Sequence, residues 1–160
     1  KKEVFNWQKN LKPLDDHKSD SDTMKYFWDK NPEIWKFVNT NLFNADDAMI
    51  DLGDKIYLLT EKYKLKWVAW PAAYDWQWLK YYYTAMIENN PDDDCMDVGF
   101  KATCISTMFD IYCHQNDIQD RDSEFNKLTE GHKVTHNPED DARAQGIAFI
   151  NLANALSMKL

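Results

Sequence analysis

A histidine five residues ahead of an aspartate that faces the core side of a helix can hold a divalent cation and move a proton. The segment His136-Asn137-Pro138-Glu139-Asp140-Asp141-Ala142 supplies that pattern. Asn137 suits an N-cap, Pro138 the first helical position, and Glu139 and Asp140 the positive end of the helix dipole, so a helix is expected to start here. At about 100° per residue, Asp141 projects from the stripe of Ala148, Leu152 and Leu156, which a helix normally buries. An ionised carboxylate beside an apolar interface costs roughly several kcal/mol unless a cation or hydrogen-bond donors neutralise it.

A second segment repeats the arrangement. Leu65 to Trp70 reads as a short buried strand, Pro71 stops it, and an apolar helix is expected from Tyr74 to about Glu88. Its odd acid is Asp75, on the face of Leu79, Tyr82 and Met86. Two helices that each bring one carboxylate to an inner N-terminal end, with a histidine beside one of them, describe a divalent-metal site at a sheet edge. Each acid taken alone is an ordinary cap or dipole partner. His17, His114 and His132 read as surface or capping residues, and only His136 has the spacing to an acid.

The segments Ala69-Trp70-Pro71-Ala72-Ala73-Tyr74-Asp75-Trp76-Gln77-Trp78-Leu79 and His136 to Gly146 together resemble the second and third motifs of the DEDD-type 3′-5′ exonucleases, histidine subtype. The likeness runs from about Val4 to Leu160, through a Leu11-Lys12-Pro13 turn, and implies an α/β ribonuclease-H-like mixed sheet flanked by helices. In that family four acids hold two divalent metals. The resemblance therefore implies that Asp75 and Asp141 help hold Mg²⁺ or Mn²⁺ and that His136 orients or deprotonates the attacking water. Tyr74, beside Asp75, is the residue expected to touch substrate, with Trp70, Trp76 and Trp78 as further stacking candidates. The implied reaction is hydrolysis of the terminal phosphodiester of DNA or RNA, releasing nucleoside 5′-monophosphates, and the implied partner is a single-stranded 3′ end.

The family's first motif, Asp-x-Glu on the central strand, has no counterpart here. Asp15, Asp16, Asp20 and Asp22 fall in a polar stretch after the turn, and Asp51 and Asp54 on a helix. The chain therefore reads as a single exonuclease-like domain over 1–160, N-terminally incomplete, with the first strand apparently missing. Without its middle strand such a sheet leaves backbone groups unpaired. The competing reading is a catalytically inactive exonuclease-like binding or interaction module. A polymerase-dependent proofreading subunit is a third, and a homo-oligomer partner is also open.

Composition agrees with one globular domain. The chain has 160 residues, 44% of them hydrophobic, and its seven Trp, eight Tyr and eight Phe are enough to fill a sizeable core. A net charge of −8 argues against a protein that coats nucleic acid, since phosphate binding relies on Lys and Arg. It leaves room for a nuclease, because carboxylates gathered for metals are themselves negative. Cys95, Cys104 and Cys113 lack Cys-x-x-Cys spacing, so free thiols in the reducing cytoplasm are expected. No run approaches the roughly 18 apolar residues of a membrane span.

Along the chain, a strand is expected over Val4 to Leu11, a charged loop from Leu14 to Ser21, and a short helix capped by Ser21 or Asp22. Asn31-Pro32-Glu33 opens another helix, and Asn44 begins a longer one with Met49, Leu52, Ile56 and Leu59 on its core stripe. Asn89 to Asp94 reads as a turn, Cys95 to Val98 as the last short strand, and Phe100 to His114 as a helix. The polar stretch from Gln115 to Thr135 reads as a mobile loop that carries His136 into place.

Overall fold

A computed structural model describes residues 6–13, 18–89 and 101–159. The fold is α/β. In chain order the elements are β1 (Asn10–Leu11), α1 (Ser21–Tyr26), a 3-10 turn (Trp28–Lys30), α2 (Pro32–Val38), β2 (Leu42–Phe43), α3 (Ala45–Thr60) and β3 (Val68–Ala69). They continue with α4 (Ala72–Asn89), β4 (Thr103–Cys104), α5 (Ile105–Gln115), α6 (Arg121–Leu128) and α7 (Pro138–Ala155). Among the described residues the strands form two parallel pairs. β1 lies beside β2 with Asn10 opposite Leu42, and β3 beside β4 with Val68 opposite Thr103.

The longer helices start where side chains satisfy their first backbone N–H groups. Asn44 accepts from the N–H groups of Asp46 and Asp47 at 2.8 and 3.2 Å, and Asn137 accepts from that of Glu139 at 3.0 Å. Asp46 and Asp47 then meet the positive end of the α3 dipole, as Glu139, Asp140 and Asp141 do for α7.

Two apolar clusters form the core. In one, α3 packs on α4 through Ala48, Met49, Leu52, Ile56, Tyr83 and Met86, with Trp7 and Leu11 against them. In the other, α5, α6 and α7 enclose Ile105, Phe109, Leu128, Ala148 and Leu152, and Val68 and Trp70 close its side. The Trp70 ring lies 4.6 Å from that of Phe125 and 5.5 Å from that of Phe109. Fully buried Ala144, Ala148 and Ala153 let α7 come close to its neighbours.

Several expectations are corrected. Of the expected strand from Val4 to Leu11, only Asn10–Leu11 is regular among the described residues, to which Val4 and Phe5 do not belong. Trp7 is instead tied to a helix, its indole N–H donating to Asp51 at 2.7 Å. The expected strand Cys95 to Val98 lies outside the described residues; β3 pairs with Thr103–Cys104, which the sequence pattern puts inside a helix. The Thr103 N–H donates to the Trp67 carbonyl at 2.8 Å, and the helix starts only at Ile105. Asp20, not Ser21 or Asp22, caps α1, accepting from the Thr23 N–H at 2.7 Å. α4 begins at Ala72, directly after Pro71, rather than at Tyr74.

The largest correction concerns residues 115–135. They hold α6, capped by Asp120, and at its end Leu128 and Thr129 are buried. Asn151 of α7 donates to the Leu128 carbonyl at 2.7 Å, which fastens the segment down. Residues 116–120 before α6 and 129–137 after it carry no helix or strand. No helix among the described residues is long and apolar enough to cross a membrane.

The closest approach of α3 and α4 falls at Gly53, where an added Cβ would lie 2.9 Å from the hydroxyl of fully buried Tyr83. Gly53→Ala should destabilise the fold by about 1–3 kcal/mol through overpacking, despite the better helix propensity of alanine. Combined with Tyr83→Phe, a denaturant double-mutant cycle should show the two changes partly cancelling.

Candidate active site

β3 and β4 run parallel, so their carboxyl ends and the N-termini of α4 and α5 fall together, the place where open parallel sheets put their ligands. Asp75 lies in the first turn of α4. Its carboxylate accepts a hydrogen bond from the backbone N–H of Trp70, at the end of β3. Crowding by surrounding atoms pushes the Asp75 carboxyl above the usual carboxylate range; the Trp70 bond opposes that shift, and the Asp141 charge adds to it. The side chain nevertheless keeps solvent access, so it is hemmed in on one side and wet on the other. On α4, Met86 of the face that Asp75 shares is fully buried and Leu79 and Tyr82 pack beside it, whereas Asp75 itself, in the first turn, stays exposed.

Asp141, in the first turn of α7, is half-buried. Its Oδ1 accepts from the backbone N–H groups of Thr135 at 2.8 Å and His136 at 3.1 Å, so the carboxylate holds down the chain that enters the helix. The Thr135 hydroxyl donates to Asp140 at 2.8 Å and reinforces this turn. His136 has a φ of 65°, in the left-handed region, and its ring meets Phe27 edge-on with centroids 4.9 Å apart. The histidine is exposed but held at both backbone and ring. Tyr74 is 64% exposed and stands at the start of α4 next to Asp75.

The fold therefore brings Asp75 and Asp141 within range of each other's charge and ties His136 to Asp141 through the backbone. It does not bring a third acid to them: among the described residues no three His, Cys, Asp or Glu side chains are grouped to hold a metal ion. The two carboxylates offer hard oxygen donors, and their mutual repulsion is what a bound Mg²⁺ or Mn²⁺ relieves. As oxygen donors they are of the kind such an ion takes, though Asp141 already engages its Oδ1 with two backbone N–H groups. Of the other aromatic candidates, Trp70 is committed to the core and Trp76 packs against Trp67 at 5.4 Å, whereas Trp78 is 47% exposed.

Cys104 was not singled out by the sequence pattern. It is a free thiol at the end of β4, as Cys113 is within α5. Burial pushes the Cys104 thiol up, but hydrogen bonds from the hydroxyls of Ser106 and Thr107 and the backbone N–H groups of Ala72 and Thr107 together pull it down to about 6. The run Cys104-Ile105-Ser106-Thr107, a thiol followed by two hydroxyls at a strand-to-helix junction, is the signal that marks it.

No family model matches the chain, and no curated protein or solved structure matches it.

Two outcomes follow from these environments. A carboxyl whose pKa is raised on folding stabilises the fold while protonated and loses that contribution as pH rises through its folded pKa. Asp75→Asn should therefore raise the melting temperature at about pH 7 and leave it nearly unchanged at about pH 3. Alkylation of Cys104 by iodoacetamide, localised by mass spectrometry, should rise with a midpoint near pH 6, and Ser106→Ala should move that midpoint upward.

Proposed function

We propose that the chain carries the second half of a metal-dependent 3′-5′ exonuclease site of the DEDD histidine subtype, on a ribonuclease-H-like scaffold. The observation that carries this reading is the convergence of Asp75 and Asp141, from two different helices, at the carboxyl ends of parallel strands. Asp75 and Asp141 would hold the divalent cation; when bound, that cation supplies an acidified water at neutral pH. His136 would orient that water or take its proton, the role of a general base. Tyr74 would flank the terminal nucleotide. The substrate is a single-stranded 3′ end, and the products are nucleoside 5′-monophosphates.

A second reading, an exonuclease-like interaction module without chemistry, draws on the hydrogen bonds of Asp141. Its Oδ1 is already used by two backbone donors, which gives the residue a structural role independent of any metal. The two readings separate in one assay. With Mg²⁺ or Mn²⁺ and a 5′-labelled single-stranded oligonucleotide, the exonuclease shortens the strand from its 3′ end and a chelator stops it.

Asp75→Asn should reduce this hydrolysis below detection while leaving the protein folded, and His136→Ala should slow single-turnover hydrolysis about 10²–10⁴-fold, the range of a general base. Full hydrolysis by Asp75→Asn, or none by the parent chain with either metal, leaves the interaction module as the reading.

A further inference from the structure

A groove of about 460 Å³ opens between β1, α2, α4 and the first residue of α7. Its walls include the rings of Trp35, Trp78 and Tyr82, and Lys9 and Lys18 line it too. In a chain of net charge −8, no Asp or Glu stands among the described residues that line this groove. Lys9 also lines two smaller hollows, one of which runs along Pro138, Glu139 and Ala142 at the start of α7. The position relative to the candidate site is set by the helices. Asp75, Trp78 and Tyr82 succeed one another along α4, with Tyr82 two turns or roughly 10 Å beyond the acid. On α7, Pro138 precedes Asp141 by less than one turn.

We propose that this groove binds single-stranded nucleic acid, its bases stacked on Trp78 and Trp35 and its phosphates drawn to Lys18 and Lys9. Aromatic rings interleaved with cations are what a flexible polyanion with π-faced units needs, and they grip it without reading sequence. An acidic peptide would satisfy the lysines but brings no row of flat π-faced units to the exposed ring of Trp78. The groove's chemistry stands by itself; the direction of the strand, 3′ end toward Asp75, rests on the exonuclease reading. The groove thus holds the nucleotides behind the reacting end, while the acids face the end itself.

The test is fluorescence anisotropy of a labelled oligothymidylate of about eight nucleotides, titrated with the full chain in chelator so that no hydrolysis intervenes. Trp78→Ala and Lys18→Glu, both at exposed positions, should each weaken binding roughly tenfold, and the Lys18 variant should also flatten the salt dependence. An abasic strand of equal length should bind weakly and be indifferent to Trp78→Ala. Parent-like binding by both groove variants overturns the proposal, as does competition by polyglutamate as effective as that of unlabelled oligonucleotide. The exonuclease reading fails separately: binding as expected but no metal-dependent shortening leaves the groove standing without it. Conversely, shortening whose KM is unchanged in both groove variants removes the groove and keeps the exonuclease.

Discussion

The carboxylates of Asp75 and Asp141 repel each other across a junction from which protein atoms have displaced part of the water. Backbone N–H groups hold each acid at the strand-to-helix corner. Trp70 donates a backbone hydrogen bond to one acid, and Thr135 and His136 donate theirs to the other. Trp70 can do so because its ring is fixed between Phe109 and Phe125, and Phe125 in turn depends on α6. The placement of the acids thus reaches back into the apolar core through a short chain of contacts.

Much of the fold could be read from local rules. Asn44 and Asn137 announced α3 and α7 because a side-chain oxygen ahead of an acidic first turn has few other uses. Met49, Leu52 and Ile56 are buried as their spacing requires. What escaped were the elements too short to show a period. β2 is two residues long, and α6 carries only Phe125 and Leu128 among polar neighbours. A helix of that length is unstable alone and forms because its few apolar side chains find Trp70 and α7. Its sequence therefore resembles that of a loop.

The site was legible to the same degree. The positions of Asp75 and Asp141 in the first turns of α4 and α7 followed from local pattern. The exposure of Asp75 did not: the face it shares with Leu79, Tyr82 and Met86 packs against α3 further along, while the acid itself stays open to solvent. The neighbour of His136 was equally hidden: Phe27 comes from the end of α1, and no local rule pairs residues so distant in sequence. Cys104 escaped for another reason: its hydroxyl donors Ser106 and Thr107 are local, but the Ala72 N–H reaches it only once β4 and α4 are in place.

β3 and its flanks link the two apolar clusters, with Trp67 packed on one and Val68 and Trp70 on the other. α4, which bears Asp75, is rooted in the cluster built with α3, and α7, which bears Asp141, in the cluster built with α5 and α6. Each acid thus reports the position of a different half of the protein, and any sliding of one half on the other alters their separation directly. A cation shared between them would act as a clasp across that boundary, coupling two packing units that otherwise open with free energies of their own.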